Sequence, residues 1–371
     1  MKATIAIIAC VLSVIGYSTW REGRRSRALN TAPSPAVRRA ISGAEDLLRQ
    51  ARVSGNAGLA LRAEAVVREA LSERPEDYEA TRMLSTIYLS QHRFRQAIAI
   101  AEKNRDARPY DPINYGVMGD GHLELGDYDK AFAAFDRMMQ LRPSASAYAR
   151  VAYARELQGD LHGAVASMKL ALDATGGDDR EGLAWTHAQV GELYFQLGRL
   201  QDAKAEYAAA SHAFPGHPFA VIGYAKTIAV EGDTSGALNL LQDLARRSPT
   251  PDLAARIGDL LARLGRHDEA QKQFALAQTG WRSDAPEPRS LARFLADHGQ
   301  AVEAVEVAEQ AAGDRHDILT EDALAWAYFK AGRVAEAKKV MALALRTGSN
   351  DRDIRNHAAA IATAVPETAL R

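Results

Sequence analysis

The chain has 371 residues, of which 47% are hydrophobic and 25% are charged, so it is long enough for several domains or one repeat array and too apolar to be disordered. Its 46 Lys and Arg residues nearly balance its 47 Asp and Glu residues, and the net charge of −1 argues against binding nucleic acid through overall charge. The single cysteine, Cys10, excludes an intrachain disulfide framework and any zinc site built on two or more cysteines.

The first predicted element is an uncharged run over residues 3–20. As a helix it would be about 27 Å long, near the ~30 Å apolar thickness of a bilayer. Four arginines follow within residues 21–27, and the positive-inside rule then predicts an uncleaved anchor, spanning residues 1–20, with the rest of the chain in the cytoplasm. Two alternatives remain open. A secretory signal cleaved after Ser18 would export the chain, and a lipoprotein signal would end at Cys10.

A basic tether is predicted for residues 21–40. Asn30 to Pro35 contains turn-forming residues and two prolines, and arginines lie on both sides of it. The arginine cluster also suits contact with anionic lipid headgroups beside the anchor.

A repeat of about 34 residues dominates the chain from residue 44 to residue 350. Seven glycines recur at intervals of 33, 39, 34, 33, 34 and 33 residues, at Gly126, Gly159, Gly198, Gly232, Gly265, Gly299 and Gly332. An alanine follows each glycine five residues later, and the same register extends backwards to Ala97 and Ala63. The other members of this alanine series are Ala131, Ala164, Ala203, Ala237, Ala270, Ala304 and Ala337.

This pattern resembles the tetratricopeptide repeat (TPR) family, whose unit is a pair of antiparallel helices. The third unit shows the likeness clearly, with Gly119, Gly126, Ala131, Phe135 and Pro143. The resemblance implies an all-α, right-handed α-α superhelical solenoid of about nine TPR helix pairs. With a capping helix predicted for the segment that starts at Asp351, the solenoid is expected to occupy residues 41–371.

Each type of residue that recurs in the unit has a structural role. The small residues at the eighth and twentieth positions are predicted to let the two helices approach closely. The glycine is predicted to end the first helix in a left-handed conformation, and Asp127, Asp160 and Asp233 are predicted N-caps of the second helices. Five additional residues near Gly176 predict a longer turn between the fourth and fifth units.

The resemblance also implies where a partner binds, because first helices line the concave side of TPR superhelices. The predicted partner-binding groove consists of Arg82, Tyr153, Trp185, Glu192, Phe195, Phe219, Lys226, Arg256, Arg289, Arg293 and Trp326. Aromatic side chains beside arginines suit a peptide that carries apolar and acidic residues. The alternative is that several of these rings pack against the neighbouring helix.

The sequence predicts no catalytic activity. It contains no P-loop, no Gly-x-Ser-x-Gly and no His-Glu-x-x-His motif. We therefore expect no cofactor, no metal site, no small-molecule substrate and no nucleic-acid partner.

The predicted function is that of a non-catalytic scaffold or adaptor, tethered to a bacterial inner membrane, that binds proteins or peptides. The anchor and the arginines after it resemble the start of bacterial lipopolysaccharide-assembly TPR proteins, which are inner-membrane adaptors with cytoplasmic repeats. Those proteins end in a cysteine-rich metal ribbon, for which this chain has no cysteines after Cys10. The alternatives are an exported periplasmic TPR protein that assists envelope assembly or secretion, and a regulatory subunit of a separate enzyme.

Overall fold

The computed structural model describes residues 34–283 and 287–364, and the regular secondary structure in these ranges is entirely α-helical. In chain order the helices are α1 (Pro35–Ser54), α2 (Gly58–Glu73), α3 (Tyr78–Ser90), α4 (Phe94–Ala107), α5 (Pro112–Glu124), α6 (Tyr128–Leu141), α7 (Ala145–Leu157), α8 (Leu161–Ala174), α9 (Arg180–Gln196), α10 (Leu200–Ala213), α11 (Pro218–Val230), α12 (Thr234–Arg247), α13 (Pro251–Arg263), α14 (His267–Trp281), α15 (Pro288–Asp297), α16 (Ala301–Asp314), α17 (Ile318–Lys330), α18 (Val334–Ala344) and α19 (Arg352–Thr363).

The predicted anchor over residues 1–20 lies outside the described residues, as does the predicted tether up to residue 33. Among the helices that the structure describes, none has the length and apolar character needed to span a bilayer.

The helices form consecutive antiparallel pairs, which are called units one to nine here. In each unit an odd-numbered helix packs along the even-numbered helix that follows it, from α1 with α2 to α17 with α18. The nineteenth described helix, α19, packs against α17 and α18 and so covers the end of the array. The predicted fold, nine helix pairs and a capping helix, is confirmed over the described ranges.

Helix α1 begins inside the segment predicted to be a tether. The Ser34 hydroxyl accepts a hydrogen bond from the backbone N–H of Val37 at 3.2 Å, which caps the helix. Pro35 lies in the first turn, where a missing backbone N–H costs no hydrogen bond. Val37 and Ala40 are buried, so this helix, including residues 35–40, is part of the solenoid.

Small residues permit the close packing of each pair, as predicted. The nine alanines of the twentieth position are all 1% exposed or less. At the eighth position, a methyl group added to Gly119 or Gly258 would overlap the ring of Phe135 or Phe274 from the second helix of the same unit. The glycine therefore provides the space into which the aromatic ring packs.

The turns within units follow the predicted geometry. All seven repeat glycines have left-handed backbone conformations, with φ between 74° and 106°. In the second unit the equivalent position is His92, whose φ is 58°, and it is the one non-glycine residue with positive φ in the described ranges. Such a conformation is costly for a residue with a Cβ atom.

The predicted N-caps are confirmed at two positions and wrong at the third. The carboxylates of Asp160 and Asp233 accept hydrogen bonds from backbone N–H groups three residues later, each at 2.8 Å. Asp127 makes no such bond. Its carboxylate instead accepts from Lys130 Nζ at 3.1 Å and lies 3.3 Å from His122 Nδ1. The competing side-chain partners draw it away from the helix end.

The structure corrects the prediction of a longer turn between units four and five. Most of the additional residues extend helix α9 instead. Helix α9 has 17 residues, compared with 13 in α7 and α11. Asp179 caps α9 by accepting from the N–H of Gly182 at 2.9 Å. Arg180 Nε donates to the carbonyl of Ala213 at 2.8 Å, which ties the added turn of helix to the end of α10.

Candidate partner-binding groove

The odd-numbered helices form the inner face of the solenoid. In addition to its own unit, α1 packs on α3, α9 packs on α11, and α15 packs on α17. Direct packing of first helices in successive units places them on the side of tighter curvature, which is the concave side of a repeat array. The inner face therefore consists of the helices that carry the predicted groove residues.

Successive turns of this superhelix touch along a line that we call the seam. At the seam, the turn inside one unit meets the segment that begins the unit six places further along the chain. Ser248 Oγ, ahead of α13, donates to the carbonyl of Val53 at 3.5 Å. His92 Nδ1 lies 2.8 Å from Glu287 Oε1, immediately before α15. One superhelical turn therefore takes about six units.

The same relationship continues along the chain. The backbone N–H of Ile318, at the start of α17, donates to the hydroxyl of Tyr128 at 2.8 Å. Asn350 Nδ2, ahead of α19, donates to the carbonyl of Gly159 at 2.8 Å. Buried apolar residues of units one to three belong to one continuous core with Ile318, Leu319 and Ile354. The two ends of the array are thus packed together.

The centre of the seam holds a buried cluster of charges. The Glu124 side chain is fully buried and pairs with Arg315. Burial raises the pKa of Glu124 to about 7, although the Arg315 guanidinium acts in the opposite direction. Burial also disfavours the charge of Asp317, but Arg289 and Arg315 hold the pKa of its carboxyl below the ordinary value. The cluster joins units three, eight and nine.

Several aromatic side chains of the predicted groove lie inside the protein. Trp185 is 1% exposed, and Phe195 and Tyr153 are also buried. Phe219 is half-buried and packs against the same core as Trp185, with its ring centroid 5.7 Å from that of His217. In this conformation Trp185, Phe195 and Tyr153 offer little surface to a partner, and the proposal that they bind one stays a prediction.

Two of the predicted groove arginines stabilise the array itself. Arg82 Nη1 donates to Asp111 at 3.1 Å, and Arg289 Nη1 donates to Asp317 at 3.2 Å. Both aspartates are N-caps of the first helix in the next unit. The arginine at the fifth position of a unit thus holds the capping residue of the following unit, a relationship that fixes how the two units stack.

A mixed cluster occupies the inner face of units five and six. Lys226 pairs with Glu192, which also accepts a hydrogen bond from the Tyr207 hydroxyl at 3.1 Å. The Lys226 ammonium lies 4.0 Å from the ring centroid of Phe195. The structure therefore brings together three predicted groove residues, with Lys226 and Glu192 half-buried.

The inner face continues with further charged groups in units four, seven and eight. Burial raises the pKa of Glu156 to about 7, and the nearby Glu192 carboxylate raises it further while the Gln196 amide opposes the shift. Burial lowers the pKa of Arg256, and Asp252 opposes that shift. Arg293 Nη2 donates to Asp353 of α19 at 2.8 Å. This surface is rich in both signs of charge.

Trp326, the last predicted groove residue, is covered by the terminal helix. Its ring stacks on His357 of α19, with centroids 4.0 Å apart and planes 11° apart. Its indole Nε1 donates to Asp297 at 2.8 Å. Two predicted groove residues, Trp326 and Arg293, therefore contact α19.

Sequence reasoning missed the seam residues Tyr128, Glu124 and Arg315. Tyr128 and Ile318 are 190 positions apart, and no periodic pattern connects them. In the sequence, one seam position is marked by His92, which occupies the turn position that a repeat glycine takes in seven other units. Within residues 34–283 and 287–364, no group of three or more His, Cys, Asp or Glu side chains is placed to hold a metal ion.

Comparison with known proteins agrees with this architecture. A family model described as tetratricopeptide repeat matches residues 48–112, 117–179 and 229–285. Human tetratricopeptide repeat protein 36 is 37% identical over 106 residues, which are 28% of this chain and 53% of that protein. The mouse protein of the same name matches similarly. The chain spans about half the length of these curated relatives.

Solved structures share the fold across most of the chain. The Cut9–Hcn1 hetero-tetramer of the APC/C matches with a TM-score of 0.53 and 13% identity, over 87% of this chain and 55% of that one. A human IFIT1 dimer with m7Gppp-AAAA matches with a TM-score of 0.53 and 15% identity, over 84% of this chain and 72% of that one. These matches show the fold. The family model, which matches residues 48–112, 117–179 and 229–285, shows that the chain is a member of the tetratricopeptide repeat family.

Proposed function

We propose that this chain is a non-catalytic scaffold that binds a protein or peptide partner on the inner face of its solenoid. We propose further that residues 3–20 anchor it in a bacterial inner membrane, with the repeats in the cytoplasm. The observation that carries the binding proposal is the row of half-buried basic side chains on three successive first helices: Lys226 on α11, Arg256 on α13 and Arg293 on α15. An acidic peptide laid along these helices would meet one basic group per unit, and its acids would replace Glu192 as the partner of Lys226 and Asp353 as the partner of Arg293.

The fold supports this proposal. Repeat solenoids present extended inner surfaces, and such surfaces suit an elongated partner better than a small molecule. The Cut9 structure, which shares this fold, is of an assembly with a second protein, Hcn1. A scaffold of this kind binds its partner without turnover.

A pull-down from cells with the full chain tests the binding site. Lys226→Glu and Arg256→Glu, combined in one variant, reverse charge at two half-buried inner positions. The matched control reverses Lys272 and Lys339, which are exposed on the second helices α14 and α18. We expect partners that are retained by the wild type and the control to be lost from the inner-face variant. Identical partner profiles for all three proteins would refute inner-face binding.

Protease treatment of bacteria that express the full chain tests the topology. If the repeats are cytoplasmic, protease added to intact spheroplasts leaves them uncut, and detergent lysis makes them sensitive. Cleavage in intact spheroplasts would instead establish the periplasmic alternative. Recovery of the chain in the soluble fraction, lacking residues 1–20, would refute the anchor.

A further inference from the structure

The terminal helix α19 occupies one end of the predicted groove. Its Asp353 accepts a hydrogen bond from Arg293 at 2.8 Å, and its His357 stacks on Trp326. His357 Nδ1 also lies 2.9 Å from Asp322 Oδ1 of α17. Each of these contacts joins α19 to the inner face of α15 or α17.

The contacts follow a short pattern on α19. Its buried residues are Asp353, Ile354, His357 and Ile361. Asp353 and His357 are four positions apart and so lie on one face of the helix, with Ile354 and Ile361 beside them. An acidic group meets Arg293, an aromatic base meets both Trp326 and Asp322, and two isoleucines fill the apolar space. Any helix with these four groups at these spacings fits the same surface.

Helix α19 buries fewer apolar side chains than α17 does. Only two of its four buried side chains are apolar, whereas α17 buries six apolar side chains, including Ile318 and Leu324, and has packed neighbours on both sides. The opposite face of α19, with Arg352, Arg355 and Asn356, is exposed. Within the array α19 contacts only the last units, although Asn350 ahead of it also donates across the seam to the carbonyl of Gly159, so we expect α19 to open at a lower free-energy cost than α17.

The inner face under α19 carries charges that pair with α19. Burial lowers the pKa of Arg293, but Asp353, Asp322 and Asp297 together raise it above the ordinary value. If α19 moved away, the Arg293 guanidinium would lose Asp353, Asp322 would lose His357, and water would hydrate both groups. A replacement helix that buries them again must supply an acid for Arg293 and a base for Asp322.

We propose that α19 is an internal placeholder for a partner helix. The docking site is the surface of α15, α17 and α18 that α19 covers, and the partner is a helix with an acidic residue, an apolar residue next to it, a histidine at the fourth position after the acid and a second apolar residue at the eighth. The partner binds by displacing α19. Its apparent affinity is therefore its intrinsic affinity multiplied by the fraction of molecules in which α19 is undocked. This inference rests on the proposed function, since it names the chemistry of the partner.

The test uses a fluorescein-labelled synthetic peptide with the sequence of residues 349–364 and measures its anisotropy with the full chain. The double variant Asp353→Asn, His357→Ala weakens docking of α19 in its own chain and leaves Arg293, Asp322 and Trp326 unchanged. We expect this variant to bind the peptide at least tenfold more tightly than the wild type does. A peptide that carries the same two substitutions is the matched control and should not bind.

Charge reversal provides a second arm. In the full-length Arg293→Glu variant we expect the unaltered peptide to bind weakly and a peptide with Asp353→Lys to bind at least tenfold more tightly. If neither chain variant binds its peptide, the placeholder proposal is wrong. If the Asp353→Asn, His357→Ala variant forms a dimer that excludes the peptide, as measured by light scattering, the occupant is a second copy and the proposal is also wrong.

If these variants do not fold, hydrogen exchange of the unmodified chain tests whether α19 undocks more readily than α17. We expect amides of α19 to exchange at least tenfold faster than those of α17, and equal rates would overturn the proposal. The pull-down with the Lys226 and Arg256 variant separates the two hypotheses. Loss of a partner in that experiment, together with failure of the peptide to bind, leaves the scaffold function intact and removes only the role of α19.

Discussion

The hydroxyl of Tyr128, at the start of α6, accepts a hydrogen bond from the backbone N–H of Ile318, at the start of α17, at 2.8 Å. The first N–H groups of a helix have no partner within that helix, and here a side chain 190 positions away supplies one. The Arg346 guanidinium lies 5.0 Å from the centroid of the same ring. Tyr128 therefore connects units three and nine across the seam.

Removal of the Tyr128 hydroxyl should weaken the seam. We expect Tyr128→Phe to lower the free energy of unfolding by about 1 kcal/mol, because the N–H of Ile318 loses its acceptor and stays buried. Chemical denaturation followed by circular dichroism measures the change. Tyr110→Phe is the control. Tyr110 is 77% exposed, and removal of its hydroxyl should leave the free energy of unfolding unchanged. Equal stability of the two variants would contradict a role for the hydrogen bond.

The Glu124 carboxyl should make stability depend on pH. Its pKa rises from 4.5 to about 7 on folding, with burial as the largest cause. The folded protein therefore holds this proton more tightly than the unfolded chain, and the resulting stabilisation is present below pH 4.5 and is lost as the pH rises to about 7. Glu124→Gln cannot titrate, so the stability of the wild type relative to this variant should decline across that window.

Denaturation midpoints of both proteins at half-unit steps from pH 4.5 to 8 measure this decline. Other titrating groups, among them Glu156, are present in both proteins, so their effects cancel to first order in the comparison. Parallel profiles would show that the Glu124 carboxyl has the same proton affinity in the folded and unfolded chain.

The eighth position of unit three should not tolerate a residue larger than glycine, because an aromatic ring packs directly against it. Gly119→Ala places a methyl group where the ring of Phe135 lies, and we expect a loss of about 1–3 kcal/mol from overpacking in spite of the better helix propensity of alanine. Gly43→Ala in α1 is the control, because no atom lies within 4 Å of the added methyl group. It should stabilise the protein by roughly 0.5–1 kcal/mol. Thermal or chemical denaturation shows whether Gly119→Ala destabilises the protein and Gly43→Ala stabilises it.

His92 combines a strained backbone with a contact across the seam. Its φ is 58°, and its Nδ1 lies 2.8 Å from Glu287, which is part of the segment before α15. His92→Gly should relieve roughly 1 kcal/mol of backbone strain but remove the contact with Glu287. In a Glu287→Ala background residue 287 cannot accept a hydrogen bond from His92, so His92→Gly removes no contact with it and should stabilise that protein more than it stabilises the wild type.

A double-mutant cycle of His92 and Glu287 gives this coupling directly. Burial opposes the charge of Glu287, but His92 contributes to lowering its pKa to about 2. We expect a coupling of about 1 kcal/mol in favour of the native pair. A coupling near zero would mean that the contact does not stabilise the seam.

The sequence by itself determined the repeat and its local geometry. The glycines at the turns, the alanines at the twentieth position and the close approach of two helices at the eighth position could all be predicted, because these interactions join residues less than one unit apart. The capping helix was predictable for the same reason, since an array needs a cover for its last apolar face. Local exceptions came from competing neighbours, such as Lys130 and His122 at Asp127.

Only the tertiary structure decided which units meet across the seam and which inner-face side chains are exposed. The pitch of a superhelix is the sum of small rotations between successive units, and a repeat pattern specifies each contact between neighbours without specifying that sum. The sum places Tyr128 on Ile318 and Asn350 on Gly159. Trp185 and Phe195 are buried in the core that units four to six share, because the packing of neighbouring helices, which the repeat register does not specify for each side chain, decides whether an inner-face ring is exposed.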